Sequence, residues 1–165
     1  MLARPFTAPH FGLTVPDLVA AIAWYIETLD FRLLAGPLSV REDDQPLGPP
    51  AAQIYGRGFG VFHFAHLATS DNVGLELFHF EKTKVDPGTE TFTYWRKGYN
   101  HIGLTAPDIH LAVERLEAAG GKARTEILTI DPVKDYKIVY CEDPWGNTIE
   151  FCSHPYVEMW EGVKP

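Results

Sequence analysis

A nine-residue phrase that occurs twice places the strongest constraint on how this chain can fold. Residues 10–18 read HFGLTVPDL and residues 101–109 read HIGLTAPDI, so that six of the nine letters recur in register. After each copy, apolar residues recur at the three- and four-residue spacing of an amphipathic helix. A phrase repeated with the same sequence context predicts two structurally equivalent modules within one chain.

Each copy predicts the same order of elements. A short apolar segment opens at the histidine, and an aspartate, Asp17 or Asp108, stands at the N-cap position of the helix that follows. Three further strand-like segments come after each helix. The sequence therefore predicts an α+β fold built from two βαβββ modules, residues 1–85 and 98–165, with a linker at 86–97.

The two predicted modules differ in length. From the opening histidine to the glutamate of the last strand, the first module is 17 residues longer than the second. The surplus falls within residues 36–58, a stretch rich in proline, glycine and acidic residues, which predicts a loop. A loop of this length in a compact domain is either functional or disordered, and the sequence leaves both open.

Composition and charge exclude several classes of function. The formal net charge is −8, so the chain lacks the excess of basic residues that nucleic-acid binding requires. No apolar run approaches the roughly 20 residues of a membrane span, and the first residues contain no apolar stretch of signal-peptide length. We therefore expect a cytoplasmic protein that binds neither nucleic acid nor membrane. In that compartment the two cysteines, Cys141 and Cys152, are expected to be buried free thiols.

Four residues carry the candidate chemistry. Each copy opens its first strand with a histidine, His10 or His101, and places a glutamate, Glu76 or Glu150, inside its last strand. Either glutamate alone could lie on the wet face of a half-buried strand. Taken together, two imidazoles and two carboxylates in equivalent places predict a site for one divalent ion, namely Zn, Ni, Co, Mn or Fe.

Three more histidines lie in the strands of the first module and are alternative ligands. They are His63, His66 and His79. Because side chains alternate along a strand, His79 is expected to face away from Glu76, which favours a structural role for it.

The sequence resembles the vicinal oxygen chelate superfamily, also called the glyoxalase/bleomycin resistance/dioxygenase family. The likeness rests on HFGLTVPDLVAAIAWYIETLDFRLL, HIGLTAPDIHLAVERLEAAGGKARTE and YCEDPWGNTIEFCS. It implies paired modules forming a curved mixed sheet around a metal, a small-molecule substrate and a homodimer. The family's ligand positions fall on His10, Glu76, His101 and Glu150, and the two pairs that share an ion come from one chain or from two.

Within the family the ligand content implies the type of reaction. A full His/Glu/His/Glu set is similar to that of glyoxalase I, and methylmalonyl-CoA epimerase is close, with glutamine at one position. The resemblance therefore implies a metal-dependent lyase or isomerase that enolises a small substrate with vicinal oxygens, with Glu150 as the first choice of base and Glu76 as the second. The alternatives are an extradiol-type dioxygenase and a small-molecule binding protein without catalysis.

The residues around the predicted site differ from those of glyoxalase I. Thr14 and Phe80 stand where that enzyme has an arginine and an asparagine for glutathione. By strand periodicity, Phe78 and Phe80 share the face of Glu76, and Cys152 shares the face of Glu150. We therefore expect these four residues to line an apolar substrate pocket, in which the hemithioacetal of methylglyoxal and glutathione is a poor substrate.

Overall fold

The computed structural model describes residues 6–84, 95 and 97–162. The chain divides into two compact units, Met1–Asp86 and Pro87–Pro165. The predicted linker at 86–97 lies outside the described residues apart from positions 95 and 97. Each unit carries its own β-sheet.

The first unit has a mixed four-stranded sheet in the order β1-β4-β3-β2. Strand β1 runs parallel to β4, and the other neighbours are antiparallel. In chain order the elements are β1 (His10–Thr14), α1 (Leu18–Leu29), β2 (Arg32–Arg41), α2 (Gly48–Tyr55), β3 (Val61–Ala68) and β4 (Gly74–Phe80).

Helix α1 covers one face of this sheet and packs against β2, β3 and β4. It begins where predicted, because the side chain of Asp17 accepts a hydrogen bond from the backbone N–H of Ala20 at 3.0 Å. The apolar face of α1 is buried against the sheet, with Tyr25 of the helix 2% exposed and Leu77 of β4 0% exposed. Glu76 and the phenylalanine side chains of β3 and β4 lie on the opposite face of the sheet.

The second unit repeats this arrangement. Its sheet has the order β5-β9-β8-β6, with β7 paired to β8 and with β5 parallel to β9. Its elements are β5 (Ile102–Thr105), α3 (Ile109–Ala118), β6 (Lys122–Ala123), β7 (Leu128–Asp131), β8 (Tyr136–Glu142), β9 (Thr148–Cys152) and α4 (Tyr156–Trp160).

Helix α3 begins at Asp108, whose carboxylate accepts from the N–H of Leu111 at 3.0 Å. It ends at Ala118, shortly before the glycine pair Gly120-Gly121. A Cβ on Gly121 would lie 2.6 Å from Leu116 Cδ2 and 2.7 Å from the carbonyl oxygen of Glu142. Only glycine therefore allows the chain to pass this closely from α3 into the sheet.

The segment at 36–58, predicted to be a loop, is largely ordered secondary structure. Strand β2 continues through it to Arg41, and α2 forms from Gly48 onward with proline in its first turn. Proline is tolerated there because the first helical N–H groups have no partner within the helix. The helix is held by Ala51, which is buried in a core cluster with Val40 and three phenylalanines.

The predicted α+β class and the two βαβββ modules are confirmed. The residues that the structure describes form two mixed sheets, one in each unit. No helix within the described ranges has both the length and the apolar character needed to cross a membrane.

Replacing Asp17 with alanine is expected to destabilise the protein by about 0.5–2 kcal/mol, because the first turn of α1 loses the acceptor for an unpaired N–H. Urea denaturation followed by circular dichroism measures the effect. Asp17→Asn is the matched control, because asparagine retains a side-chain oxygen and caps about equally well. Equal stability of the alanine and asparagine variants would contradict the capping role.

Candidate functional site

The first predicted ligand pair is assembled by the parallel pairing of β1 and β4. In this register Gly12 lies opposite Glu76, so His10, two residues before Gly12, shares the face of the glutamate. The Nε2 atom of His10 lies 3.4 Å from Oε2 of Glu76.

A third side chain completes the surroundings of Glu76. His66 lies directly opposite Glu76 on the antiparallel strand β3. Its Nδ1 atom is 3.3 Å from Oε1 of Glu76, while Oε2 faces His10. Each oxygen of the carboxylate therefore faces a different imidazole, and the sequence-based candidate His66 lies beside the predicted pair.

The second predicted pair forms in the same way between β5 and β9. Gly103 lies opposite Glu150, and His101 Nε2 is 3.2 Å from Glu150 Oε2. The other ring nitrogen of His101, Nδ1, lies 2.6 Å from Oδ1 of Asn100. An Nδ1–H donated to this amide oxygen leaves the Nε2 lone pair directed towards the carboxylate, which is the orientation that a metal ligand needs.

Tyr140 occupies the place beside Glu150 that His66 occupies beside Glu76. It lies opposite Glu150 on β8, and its ring is edge-on to His101 with centroids 5.2 Å apart. Burial raises the pKa of the Tyr140 hydroxyl, and the charge of Glu150 and a hydrogen bond to it raise that pKa further. The hydroxyl therefore stays protonated at neutral pH and donates to the carboxylate.

The remaining histidine candidates lie on the other face of the first sheet. His63 and His79 pair with each other across β3 and β4, three register positions away from Glu76 and His66. His63 contacts Ser39 Oγ through Nδ1 at 2.7 Å and Glu81 Oε1 through Nε2 at 2.8 Å. His79 Nδ1 lies 3.3 Å from the backbone oxygen of Val15. Neither ring faces the predicted ligand pair.

The predicted pocket residues have different surroundings. Phe78 and Phe80 lie on the Glu76 face, within a cluster of aromatic rings that includes Phe62. Thr14 is exposed and paired with Phe78 across β1 and β4. Cys152 is buried in a cluster with Tyr136 and Met159. That these four residues line a substrate pocket stays a prediction.

Sequence reasoning missed three residues that contact the predicted site or lie close to it. They are Tyr55 of α2, Asn100 and Tyr140. The sequence does contain a signal for Tyr140. This residue precedes Glu150 by ten residues, the same spacing that separates His66 from Glu76. No comparable signal marks Tyr55, whose position depends on how α2 packs.

The structure brings the four predicted ligands together as two pairs. Within the part of the chain that the structure describes, no three or more histidine, cysteine or acidic side chains form a set able to hold a metal ion. Each pair therefore offers two donors, and the combination of both pairs into one coordination shell stays a prediction.

Comparison with known proteins gives the family. A family model described as the glyoxalase/bleomycin resistance protein/dioxygenase superfamily matches residues 7–151. This match spans most of the chain, and the protein belongs to that superfamily. Among curated proteins there is no match.

Solved structures share the fold at low sequence identity. A glyoxalase family protein from Bacillus cereus is 23% identical with a TM-score of 0.75, over 92% of this chain and 95% of that chain. A glyoxalase/dioxygenase from Nostoc punctiforme is 22% identical with a TM-score of 0.60, over 90% and 91%. Glyoxalase I from Zea mays is 22% identical with a TM-score of 0.60, over 89% of this chain and 44% of that chain.

Both cysteines are free thiols and are expected to react slowly in the folded protein. Burial raises the pKa of Cys141 and of Cys152 to about 11, and the Glu150 charge contributes at Cys152. A raised pKa keeps the thiol neutral at pH 8, so alkylation by iodoacetamide should be roughly 100-fold slower than for an unperturbed thiol. Mass spectrometry with and without urea measures this difference.

In the variant Cys152→Ser, any alkylation that is still observed takes place at Cys141. Rapid alkylation of Cys152 in the folded protein would contradict its burial against Tyr136 and Met159. It would also support the prediction that this side chain opens onto a pocket.

Proposed function

We propose that this protein is a divalent-metal-dependent lyase or isomerase of the glyoxalase type, with His10, Glu76, His101 and Glu150 as the metal ligands. The observation that carries the proposal is the repeated geometry of the two pairs. In both units a histidine Nε2 faces a glutamate Oε2 on one face of a sheet, at 3.4 Å and 3.2 Å.

These separations fit donor atoms that share one ion. Nitrogen and oxygen ligands lie about 2.0–2.2 Å from Zn²⁺, so neighbouring donors in a tetrahedral or octahedral shell are roughly 3.0–3.4 Å apart. Two neutral imidazoles and two carboxylates also match the preference of borderline divalent ions. The agreement with a metal-binding site therefore rests on the types of donor atom and on the distance between the two donors within each pair.

A bound divalent ion would supply Lewis-acid polarisation of a substrate oxygen, which acidifies the neighbouring C–H bond. The chain's own residues would then hold the substrate and move the proton. Asn100 fixes the ring orientation of His101. Returning the proton to the adjacent carbon gives isomerisation, and returning it to the other face of the same carbon gives epimerisation.

Glu150 is the proposed base and Glu76 the second candidate. The Glu150 side chain is 14% exposed and that of Glu76 is 25% exposed, so water competes less for Glu150. The hydroxyl of Tyr140 donates a hydrogen bond to Glu150, which helps to orient the carboxylate. A carboxylate that is both shielded and oriented is suited to taking a proton from a bound substrate.

The two alternative functions are less well supported. A binding protein without catalysis would be favoured if the glutamates pointed to solvent, but both are largely shielded and face histidines. An extradiol-type dioxygenase needs an open position for O₂ at its iron, and a set of four protein donors argues against it.

Metal binding should depend on both pairs. We expect Glu76→Gln and His101→Ala each to weaken Zn²⁺ binding by roughly 100-fold or more, because even outer-shell partners typically change metal affinity by about 10–100-fold. Competition with a chromophoric chelator measures the affinity, and elemental analysis should give one ion per chain.

The matched controls are Glu81→Gln and His79→Ala, which remove the same residue types near the end of β4. His79 lies on the face opposite Glu76, and Glu81 follows the strand and contacts His63. Both variants should bind Zn²⁺ as tightly as the parent protein. Unchanged affinity in Glu76→Gln and His101→Ala would show that the ligand assignment is wrong.

Glu150→Gln should slow proton abstraction strongly. With metal held at saturation for every variant, we expect solvent deuterium exchange into 2-hydroxyacetophenone to fall by about 10²–10⁴-fold, the usual contribution of a positioned base. Proton NMR follows the exchange, and Glu81→Gln is the control.

Two parallel assays separate this proposal from its alternatives. The hemithioacetal of methylglyoxal and glutathione should be turned over poorly, and catechols should cause no O₂ uptake. Ring cleavage of a catechol with O₂ consumption would favour the dioxygenase alternative, whereas exchange unaffected by Glu150→Gln would remove that residue as the base.

A further inference from the structure

The inserted helix α2 places an aromatic side chain next to the predicted substrate pocket. Its sequence, GPPAAQIY, ends at Tyr55, whose ring lies against four phenylalanines of the same unit. The ring-centroid distances from Tyr55 are 5.1 Å to Phe80, 5.4 Å to Phe62, 6.2 Å to Phe59 and 6.3 Å to Phe78. All four contacts are edge-on, which is the favoured geometry for aromatic pairs.

The position of Tyr55 is fixed from both ends of the insertion. On one side, Ala51 anchors α2 in the core cluster that contains Phe59 and Phe62. On the other side, the carboxylate of Glu42 accepts hydrogen bonds from the backbone N–H of Gly58 at 2.8 Å and of Gly60 at 3.4 Å. These hydrogen bonds join the two ends of the inserted segment. Together with the packing of Ala51, they hold Tyr55 on the face of the sheet that carries Glu76.

The ring of Tyr55 remains accessible despite these contacts. The residue is 41% exposed, while Phe62 beneath it is 5% exposed. Burial raises the pKa of the Tyr55 hydroxyl, and the charge of Glu76 raises it further. Tyr55 therefore packs against the phenylalanines on the face of the sheet that carries the predicted ligand Glu76, and part of the residue stays exposed.

We propose that Tyr55 forms the accessible side of an aromatic subsite that selects substrates carrying a planar aromatic ring beside their vicinal oxygens. This inference rests on the proposed function, because the vicinal oxygens are taken to bind at Glu76 and its partner ligands. Phe78 and Phe80 support the subsite from below. Tyr55 is the side chain that makes edge contact with the substrate ring.

Two hydroxamates that differ only in the ring test this assignment. Benzohydroxamate and acetohydroxamate present the same pair of chelating oxygens, and the first adds a phenyl group. With Zn²⁺-loaded protein, isothermal titration should give tighter binding of benzohydroxamate. Tyr55→Leu should weaken benzohydroxamate by roughly three- to tenfold, the range expected for an aromatic pair, and leave acetohydroxamate unchanged.

Two further variants control for packing and for surface aromatic rings in general. Tyr55→Phe keeps the ring and should keep the preference for benzohydroxamate. Tyr156→Leu removes an exposed tyrosine of the second unit, 70% exposed and packed near Trp160, and should change neither affinity. Circular dichroism and the urea midpoint verify that Tyr55→Leu is folded.

The outcomes separate the subsite from the metal centre. If both hydroxamates bind in a Zn²⁺-dependent manner and Tyr55→Leu leaves their affinity ratio unchanged, the subsite assignment is overturned and the proposed function stands. If neither hydroxamate binds more tightly with Zn²⁺ in the parent protein, the proposed function fails and the subsite assignment fails with it.

Discussion

The parallel pairing of the first and last strands in each unit is the constraint on which the candidate chemistry depends. It sets Gly12 opposite Glu76 in one unit and Gly103 opposite Glu150 in the other. Paired residues in neighbouring strands face the same side, so the histidine two positions before each glycine shares the face of the glutamate. A register shift of one residue would turn either histidine to the helix side and separate the pair.

Apolar residues of the last strands hold this register. Leu75 and Leu77 flank Glu76 and are 3% and 0% exposed, while Ile149 and Phe151 flank Glu150 and are 1% and 2% exposed. Each glutamate is therefore placed on the open face of its sheet by the burial of its two neighbours. A second polar partner beside each glutamate, His66 at Glu76 and the hydroxyl of Tyr140 at Glu150, lowers the energetic cost of the half-shielded carboxylate.

The two units share this scaffold but differ around the glutamate. The side chain opposite Glu76 is an imidazole, His66, and the side chain opposite Glu150 is a phenol, Tyr140. Helix α2 adds aromatic surface in the first unit alone. Under the proposed function, these differences assign proton transfer to Glu150 of the second unit and recognition of the substrate ring to Tyr55 of the first.

The sequence predicts those features that depend on local patterns. The repeated phrase and the strand alternation gave the element order, and Asp17 and Asp108 cap helices as expected because capping involves residues only three apart. Helix α2 escaped prediction because its glycine and prolines favour a loop, and its helical form depends on packing of Ala51 in the core. The position of Tyr55 depends on the same packing, and for that reason it could not be predicted from the sequence either.

X-ray absorption spectroscopy of the Zn²⁺-loaded protein tests the central claim most directly. We expect a first shell of two imidazole nitrogens and two carboxylate oxygens at about 2.0–2.2 Å. We also expect that His101→Ala removes one imidazole and that His79→Ala removes none. A shell that keeps both imidazoles in His101→Ala, or loses one in His79→Ala, would place the ion elsewhere and contradict the account.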